Sequence, residues 1–228
     1  LIGAGLFLLP GFVYTLVASF RRRRWKLLAM GLWWLGYSGI YAMRLPVTYQ
    51  HGRYLIPAMP VYFLLGWAGV FELFKSLPDS NKGMRVLKKT WMISIAAVGL
   101  AFLILGASSY ATDVAIIETE MVQTARWVAE NIEPRAKIAA HDIGAMGYFG
   151  NHELIDLAGL VSPEVIPFIR DEIKLAEYLD RQNVDYLVTF PGWYPILVQN
   201  RKIIYQTNGE VSPAVGGENM TVFSWREE

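Results

Sequence analysis

The stretch HDIGAMGYFG, residues 141–150, follows a short apolar run, AKIAA, and spaces glycines at positions 144, 147 and 150. Two readings are open to it: a phosphate-cradling loop of a nucleotide enzyme, or a plain strand-to-helix turn. A dinucleotide fingerprint runs G-x-G-x-x-G, with an acid about 20 residues further on. Here the spacing is G-x-x-G-x-x-G, and the nearest downstream acid on a strand, Asp156, stands twelve residues after Gly144. The Lys-Ser/Thr pair of a P-loop is missing as well. The stretch therefore reads as a tight turn, with glycine permitting backbone conformations that other residues resist. A proton-transfer pair of His141 and Asp142 is disfavoured, because adjacent strand residues point to opposite faces. Asp142 reads instead as the cap of the helix that follows.

Working outward, residues 111–228 read as one small α/β domain. Val114, Ile117, Met121, Ala125, Val128 and Ile132 recur at three- and four-residue spacing, the signature of an amphipathic helix. Thr112 or Asp113 is expected to start it, and Pro134 follows its end. AKIAAH predicts one strand and ELIDLAGL a second. Ser162-Pro163 reads as a cap followed by proline in the first turn. Residues 171–182 predict another helix, with Ile173, Ala176 and Leu179 or Tyr178 inward. VDYLVTF (184–190), KIIYQT and MTVFSW predict three further strands, the last two forming an antiparallel hairpin.

Residues 1–110 have a different character. They hold twelve Lys/Arg against two Asp/Glu, a net +10, whereas residues 111–228 hold nine against eighteen, a net −9. Such asymmetry points to two parts in different surroundings. Leu1–Phe20, Leu27–Met43, Tyr54–Phe74 and Thr90–Tyr110 each approach the roughly 20 apolar residues that span a bilayer. The expected fold is thus a multispanning α-helical membrane region of four transmembrane helices, followed by a small extracytoplasmic α/β domain. Trp25, Tyr41, Trp91 and Tyr110 sit near segment ends, where amphipathic rings favour the interface. A signal peptide does not account for Leu1–Phe20, since the basic cluster RRRRWK follows the apolar run.

Lys and Arg are retained on the cytoplasmic side. RRRRWK and KSLPDSNKGMRVLKK are rich in them, while residues 44–53 carry only Arg44 and Arg53. This orients residues 44–53 and 111–228 outward, as an integral membrane protein. The basic cluster is a topology determinant on this reading, and no nucleic-acid partner is expected. With no cysteine in the chain, disulfides and thiolate metal sites are excluded. His51, His141 and His152 lack metal-ligand spacing. No cofactor is expected. The chain starts without Met and is read as the C-terminal piece of something longer.

The membrane stretch richest in chemistry is TYQHGRYLIPAMP, residues 48–60. Arg53 falls at the outer headgroup level, close to His51. A guanidinium there grips a lipid phosphate through two parallel charge-assisted bonds, while the plainer reading is a helix anchor that snorkels to the interface. Pro57 and Pro60 interrupt the regular helix. HGRYLIPAMPVYFLLG resembles the R-Y-x-x-P segment of the polyprenyl-phosphate-sugar glycosyltransferases, the membrane enzymes related to protein O-mannosyltransferases and lipid A aminoarabinose transferases. HDIGAMGYFGNHELIDLAGLVSPEV resembles the start of the external domain that ends bacterial members. The resemblance implies transfer of a sugar from a polyprenyl-phosphate donor to an extracytoplasmic acceptor it does not identify. It implies Arg53, Tyr54 and, as a neighbour, His51 as the donor-phosphate site beside membrane lipid. It also implies a catalytic carboxylate upstream of this chain, so no catalytic residue is assigned within it.

Three further expectations concern the outer domain. Asp142 and Asp156 could form a paired-carboxylate glycosidase site, though capping and loop solvation account for both. Asn219 opens an N-glycosylation sequon, NMT. Trp193, Tyr194 and Trp225 could line a sugar platform, against core packing or membrane-surface contact. The competing function is a non-catalytic, membrane-anchored binding or sensory module.

Overall fold

The computed structural model describes residues 2–45, 49–78 and 81–226, and the chain divides into two units between Ala107 and Ser108. In the first unit, α1 (Ile2–Gly5) and a 3-10 turn at Leu6–Leu8 lead into α2 (Leu9–Arg21) and α3 (Trp25–Arg44). A 3-10 segment over Tyr49–Ala58 leads into α4 (Met59–Ser76), and α5 (Lys82–Ile116) follows. Leu8, Phe12, Tyr62, Leu65, Val70 and Ile95 form the buried core of this unit.

Helices α2 and α4 meet through glycine. A Cβ on Gly69 would stand 1.8 Å from the Gly11 carbonyl oxygen, and one on Gly11 would stand 2.3 Å from that of Gly66. With no side chain between them, two helix backbones can approach this closely. The Thr15 hydroxyl then donates to the Leu65 carbonyl at 2.8 Å, and the Tyr62 hydroxyl to that of Gly5 at 2.8 Å.

The expectation of four spans is corrected. Among the described residues two helices are long and apolar enough to cross a membrane: Gly52–Ser76, with 25 residues, and Lys82–Asn131, with 50. Leu1–Phe20 fails on length. Its regular helix starts only at Leu9, after a tighter turn and with Pro10 in the first turn, so α2 has 13 residues. Helix α3 has 20 residues but fails on hydropathy. Trp33, Trp34, Tyr37, Ser38 and Tyr41, with three glycines, dilute its aliphatic content. The fold is mostly helical, with two candidate membrane helices and one small sheet.

The second unit begins inside a continuous helix. No cap starts at Thr112 or Asp113. Instead α5 runs into a wider π-type turn at Ile117–Val122 and on through α6 (Gln123–Asn131). The Thr112 hydroxyl bonds back to the Ser108 carbonyl at 3.2 Å, as a residue in mid-helix does. Strand β1 (Lys137–Ala140) is followed by α7 (Ile143–Phe149), β2 (Glu153–Asp156), α8 (Glu172–Gln182), β3 (Tyr186–Thr189), β4 (Ile203–Gln206), α9 (Val211–Ala214) and β5 (Thr221–Ser224). The sheet order is β2-β1-β3-β5-β4. The first three strands are mutually parallel, and β5 pairs antiparallel with both β3 and β4.

Period-two alternation builds a core on each face. Ile138, Ala140, Val188 and Val222 pack with Ala125 and Val128 of α6 and Met146 of α7. Ala139, Leu187 and Phe223 pack with Leu175, Tyr178 and Leu179 of α8 on the other face. Ile173, read as inward, is 64% exposed, because the buried stripe of α8 runs through Leu175, Tyr178 and Leu179. The Asp171 carboxylate caps α8, accepting from the Lys174 N–H at 3.2 Å.

Candidate functional site

In the first unit the question is where Arg53 lies. Gly52 takes φ +69°, the left-handed region that glycine tolerates best, and turns the chain into Arg53. Arg53 is exposed and Tyr54 half-buried. The guanidinium carbon lies 5.1 Å from the centre of the Tyr54 ring, and Nη2 donates to the Tyr54 hydroxyl at 3.2 Å. Tyr54 is braced from α3: its ring stacks on Tyr41 at 5.6 Å, and its carbonyl accepts from the Tyr37 hydroxyl at 2.9 Å. Pro57 lies inside the 3-10 segment, and Pro60 lies in the first turn of α4, where a missing N–H leaves no bond unmade. The structure brings Arg53 and Tyr54 together. The side chain of His51 lies outside the described residues.

The basic cluster at the end of α2 behaves differently. Glu72 accepts from Arg22 and lies 3.5 Å from Arg24. Among the described residues no carboxylate pairs with Arg53, and its side chain is exposed.

In the second unit the sheet order creates a topological switch point. The chain leaving β1 turns to α7 on one face, while the chain leaving β3 carries Tyr194 and Leu197 into the core on the other. Open α/β sheets hold ligands in the crevice beyond such carboxyl ends. His141, directly after β1, meets Tyr194 across it, with Nδ1 2.6 Å from the phenol oxygen. The Trp193 ring stands edge-on to His141 at 4.9 Å. Burial, first, and the carboxylates of Glu172 and Asp156 push the Tyr194 phenol up to about 12. Beside this pair lies a cavity of about 600 Å³, lined by Ile116, Met121, Phe190, Trp193, Val215 and Glu218 among others. The Glu218 carboxylate accepts from the Gly192 N–H at 2.6 Å and shapes the wall.

A larger hollow, about 750 Å³, opens at the opposite end of the sheet among Asp185, Arg201, Lys202 and Arg226. Its guanidiniums are already engaged. Arg226 pairs with Asp185 at 3.3 Å, and Arg201 lies over Trp225 at 3.9 Å while donating to its carbonyl.

Several residues singled out by sequence have structural work instead. Gly144 and Gly147 lie within α7, and a Cβ there would meet nothing closer than 3.6 Å. HDIGAMGYFG is thus a sharp turn after β1 followed by one short helix. Asp142 occupies the cap position of α7 without a capping hydrogen bond from its side chain. Asp156 is fully buried and accepts from the Ala158 and Val161 N–H groups, each at 2.8 Å, which closes the loop after β2. That use leaves it unsuited to a carboxylate pair with Asp142. Asn219 donates to Glu120 and to the Gly209 carbonyl, so its amide is spent internally. Trp225 is a core residue whose indole N–H donates to Asp180 at 2.8 Å.

Sequence reasoning missed Glu120. It is fully buried in the π-type turn and accepts from the Thr207 hydroxyl, the Met220 N–H and the Asn219 amide. Its signal was an acid placed between Ile117 and Met121 on an otherwise apolar stripe. Among the described residues no group of three or more His, Asp or Glu is arranged to hold a metal ion.

Residues 105–223, more than half of the chain, match the profile of a domain of unknown function, DUF8728. The chain belongs to the DUF8728 family. No curated protein and no solved structure matches it.

Proposed function

We propose that the chain is the C-terminal portion of an integral-membrane glycosyltransferase that moves a sugar from a polyprenyl-phosphate donor to an extracytoplasmic acceptor. The observation that carries the reading is Arg53: an exposed guanidinium, steadied on Tyr54 at the entry to an apolar helix, with no carboxylate partner among the described residues. The resemblance of HGRYLIPAMPVYFLLG to the R-Y-x-x-P segment supports the same role. Tyr54 steadies the guanidinium, and His51 is a neighbour of the donor-phosphate site. The protein resides in a bacterial plasma membrane. Lys82, Arg85, Lys88 and Lys89 hold the start of the 50-residue helix in the cytoplasm, which sends residues 111–228 outside.

The test is sugar transfer by the full-length parent in membranes, at matched protein level. Loss of a charge-assisted phosphate contact in Arg53→Ala should lower transfer roughly ten- to hundredfold. Arg53→Lys should recover part, since an ammonium restores charge without the two-pronged geometry. Normal transfer by Arg53→Ala would overturn the role. A second reading, a non-catalytic membrane-anchored binding module, is favoured by the cavity beside His141 and Trp193. Under that reading the parent shows no transfer even with Arg53 intact.

A further inference from the structure

The second unit exposes its large apolar side chains unevenly. Leu160 and Val161 follow β2, and the Val161 N–H is held by Asp156 at the carboxyl end of that strand. Ile173 begins α8 at the same end, where Glu172 accepts from the Ile196 and Leu197 N–H groups at 2.7 and 2.9 Å. Trp193 follows β3, and Val215 lies in the loop from β4 to β5. That loop reaches the same rim, because Thr189 at the end of β3 pairs with Thr221 at the start of β5. All six are exposed, from 77% for Leu160 down to 48% for Trp193. Ile166, against Gly159 of the loop after β2, adds a seventh. Apart from Tyr110, Val114 and Ile117 on the incoming helix, the other large apolar side chains exposed in this unit, among the described residues, are Tyr148 and Ile203.

The incoming helix shows what faces this rim. Glu120 bonds to Thr207 and Met220, which flank the same loop, so the helix crosses the rim near Ile117. The residues before it continue outward from the rim, with Val114 and Tyr110 exposed. Tyr110 also closes the apolar run 90–110, which at 1.5 Å per residue is about 32 Å long, the depth of a bilayer core. Ile117 stands seven residues beyond Tyr110, about 10 Å of helix, against a headgroup layer of roughly 5–8 Å per leaflet, so the rim meets the outer edge of that layer. Trp193 on the rim and Tyr110 above it suit that zone, where amphipathic rings settle.

We propose that the carboxyl rim of the sheet is a bilayer-contact surface, with Leu160, Val161, Trp193, Ile196 and Val215 seated in the lipid interface. The switch-point crevice with His141 and Tyr194 then opens toward lipid rather than bulk water. The proposal goes beyond the transferase reading and does not need it, since it rests on the apolar rim and the helix.

The chain has no cysteine, so single cysteines can be placed freely. Leu160→Cys, Ile196→Cys and Val215→Cys, with Tyr148→Cys and Ile203→Cys as references, should be made in the full chain. Each is labelled with a fluorophore and reconstituted at one chain per phosphatidylcholine nanodisc, with and without doxyl-labelled phosphatidylcholine. Lipid-borne quenching should be several-fold stronger at the three rim positions than at 148 and 203. Equal quenching at all five positions, with the rim open to a water-soluble quencher, would overturn the proposal. So would rim labels shielded from both quenchers, the result expected of a protein partner or a second copy.

Discussion

Tyr178 and Tyr194 are phenols kept neutral well past the usual range. Burial is the first cause for both, joined by Glu164 beside Tyr178 and by Glu172 and Asp156 near Tyr194, and each is pushed from 10.0 up to about 12. Between about pH 10 and 12 the unfolded chain releases these protons while the folded chain keeps them. The unfolded state then binds fewer protons, so stability falls as pH rises through that window. Denaturation midpoints measured at pH 9 and pH 11 should drop steeply for the natural chain. In Tyr178→Phe and Tyr194→Phe the drop should be shallower. An equal drop in the variants would place the alkaline sensitivity elsewhere. Glu120 is the second residue to test. Glu120→Ala leaves the Met220 N–H buried without its acceptor and the Thr207 hydroxyl with only its longer bond to the Met220 carbonyl, a loss of about 1–3 kcal/mol. Glu120→Gln keeps one acceptor oxygen and should lose less. Hydrogen exchange at the Met220 amide is the readout, and unchanged protection in Glu120→Ala would contradict the pinning role.

Among the elements, α2 and α4 make the sharpest case. Their approach depends on Gly11 and Gly69, where a methyl would strike backbone atoms that cannot swing aside. Gly69→Ala should force the helices apart at a cost of about 1–3 kcal/mol, seen as a lower melting temperature in detergent. Gly36→Ala is the control: nothing lies within 4 Å of a Cβ there, so the better helix propensity of alanine should leave stability unchanged or raise it. A drop for both variants would mean that glycine acts through helix flexibility rather than close approach. The long helix carries a different lesson. From Ala107 to Asn131 there is neither proline nor glycine, so nothing in the backbone stops the apolar run from continuing into the domain. The six-residue π-type turn is where the helix turns Glu120 inward.

At the scale of the whole molecule, the charge division between residues 1–110 and 111–228 accompanies a structural division at Ala107/Ser108. With the proposed orientation, a reporter fused after Tyr110 should be active outside the cytoplasm and one fused near Lys82 inside; the reverse would overturn it. Much of the second unit was legible by eye. The five strands fall within the five stretches read as strands, because a short apolar run bounded by turn residues is a local property of the sequence. The first unit was read less well. Apolar composition over Leu1–Phe20 and Leu27–Met43 counted toward four spans, whereas a span also needs unbroken helix and aliphatic content. The order of residues alone determined where strands form, where the apolar run 90–110 lies, and that Arg53 stands at the head of an apolar helix. Tertiary structure alone decided that β5 inserts between β3 and β4, that His141 meets Tyr194 across 53 positions, and that Glu120 is buried under the β4–β5 loop. Local patterns arise from contacts a few residues apart, while strand order and switch-point pairs arise from packing summed over distant residues, which no short window of sequence contains.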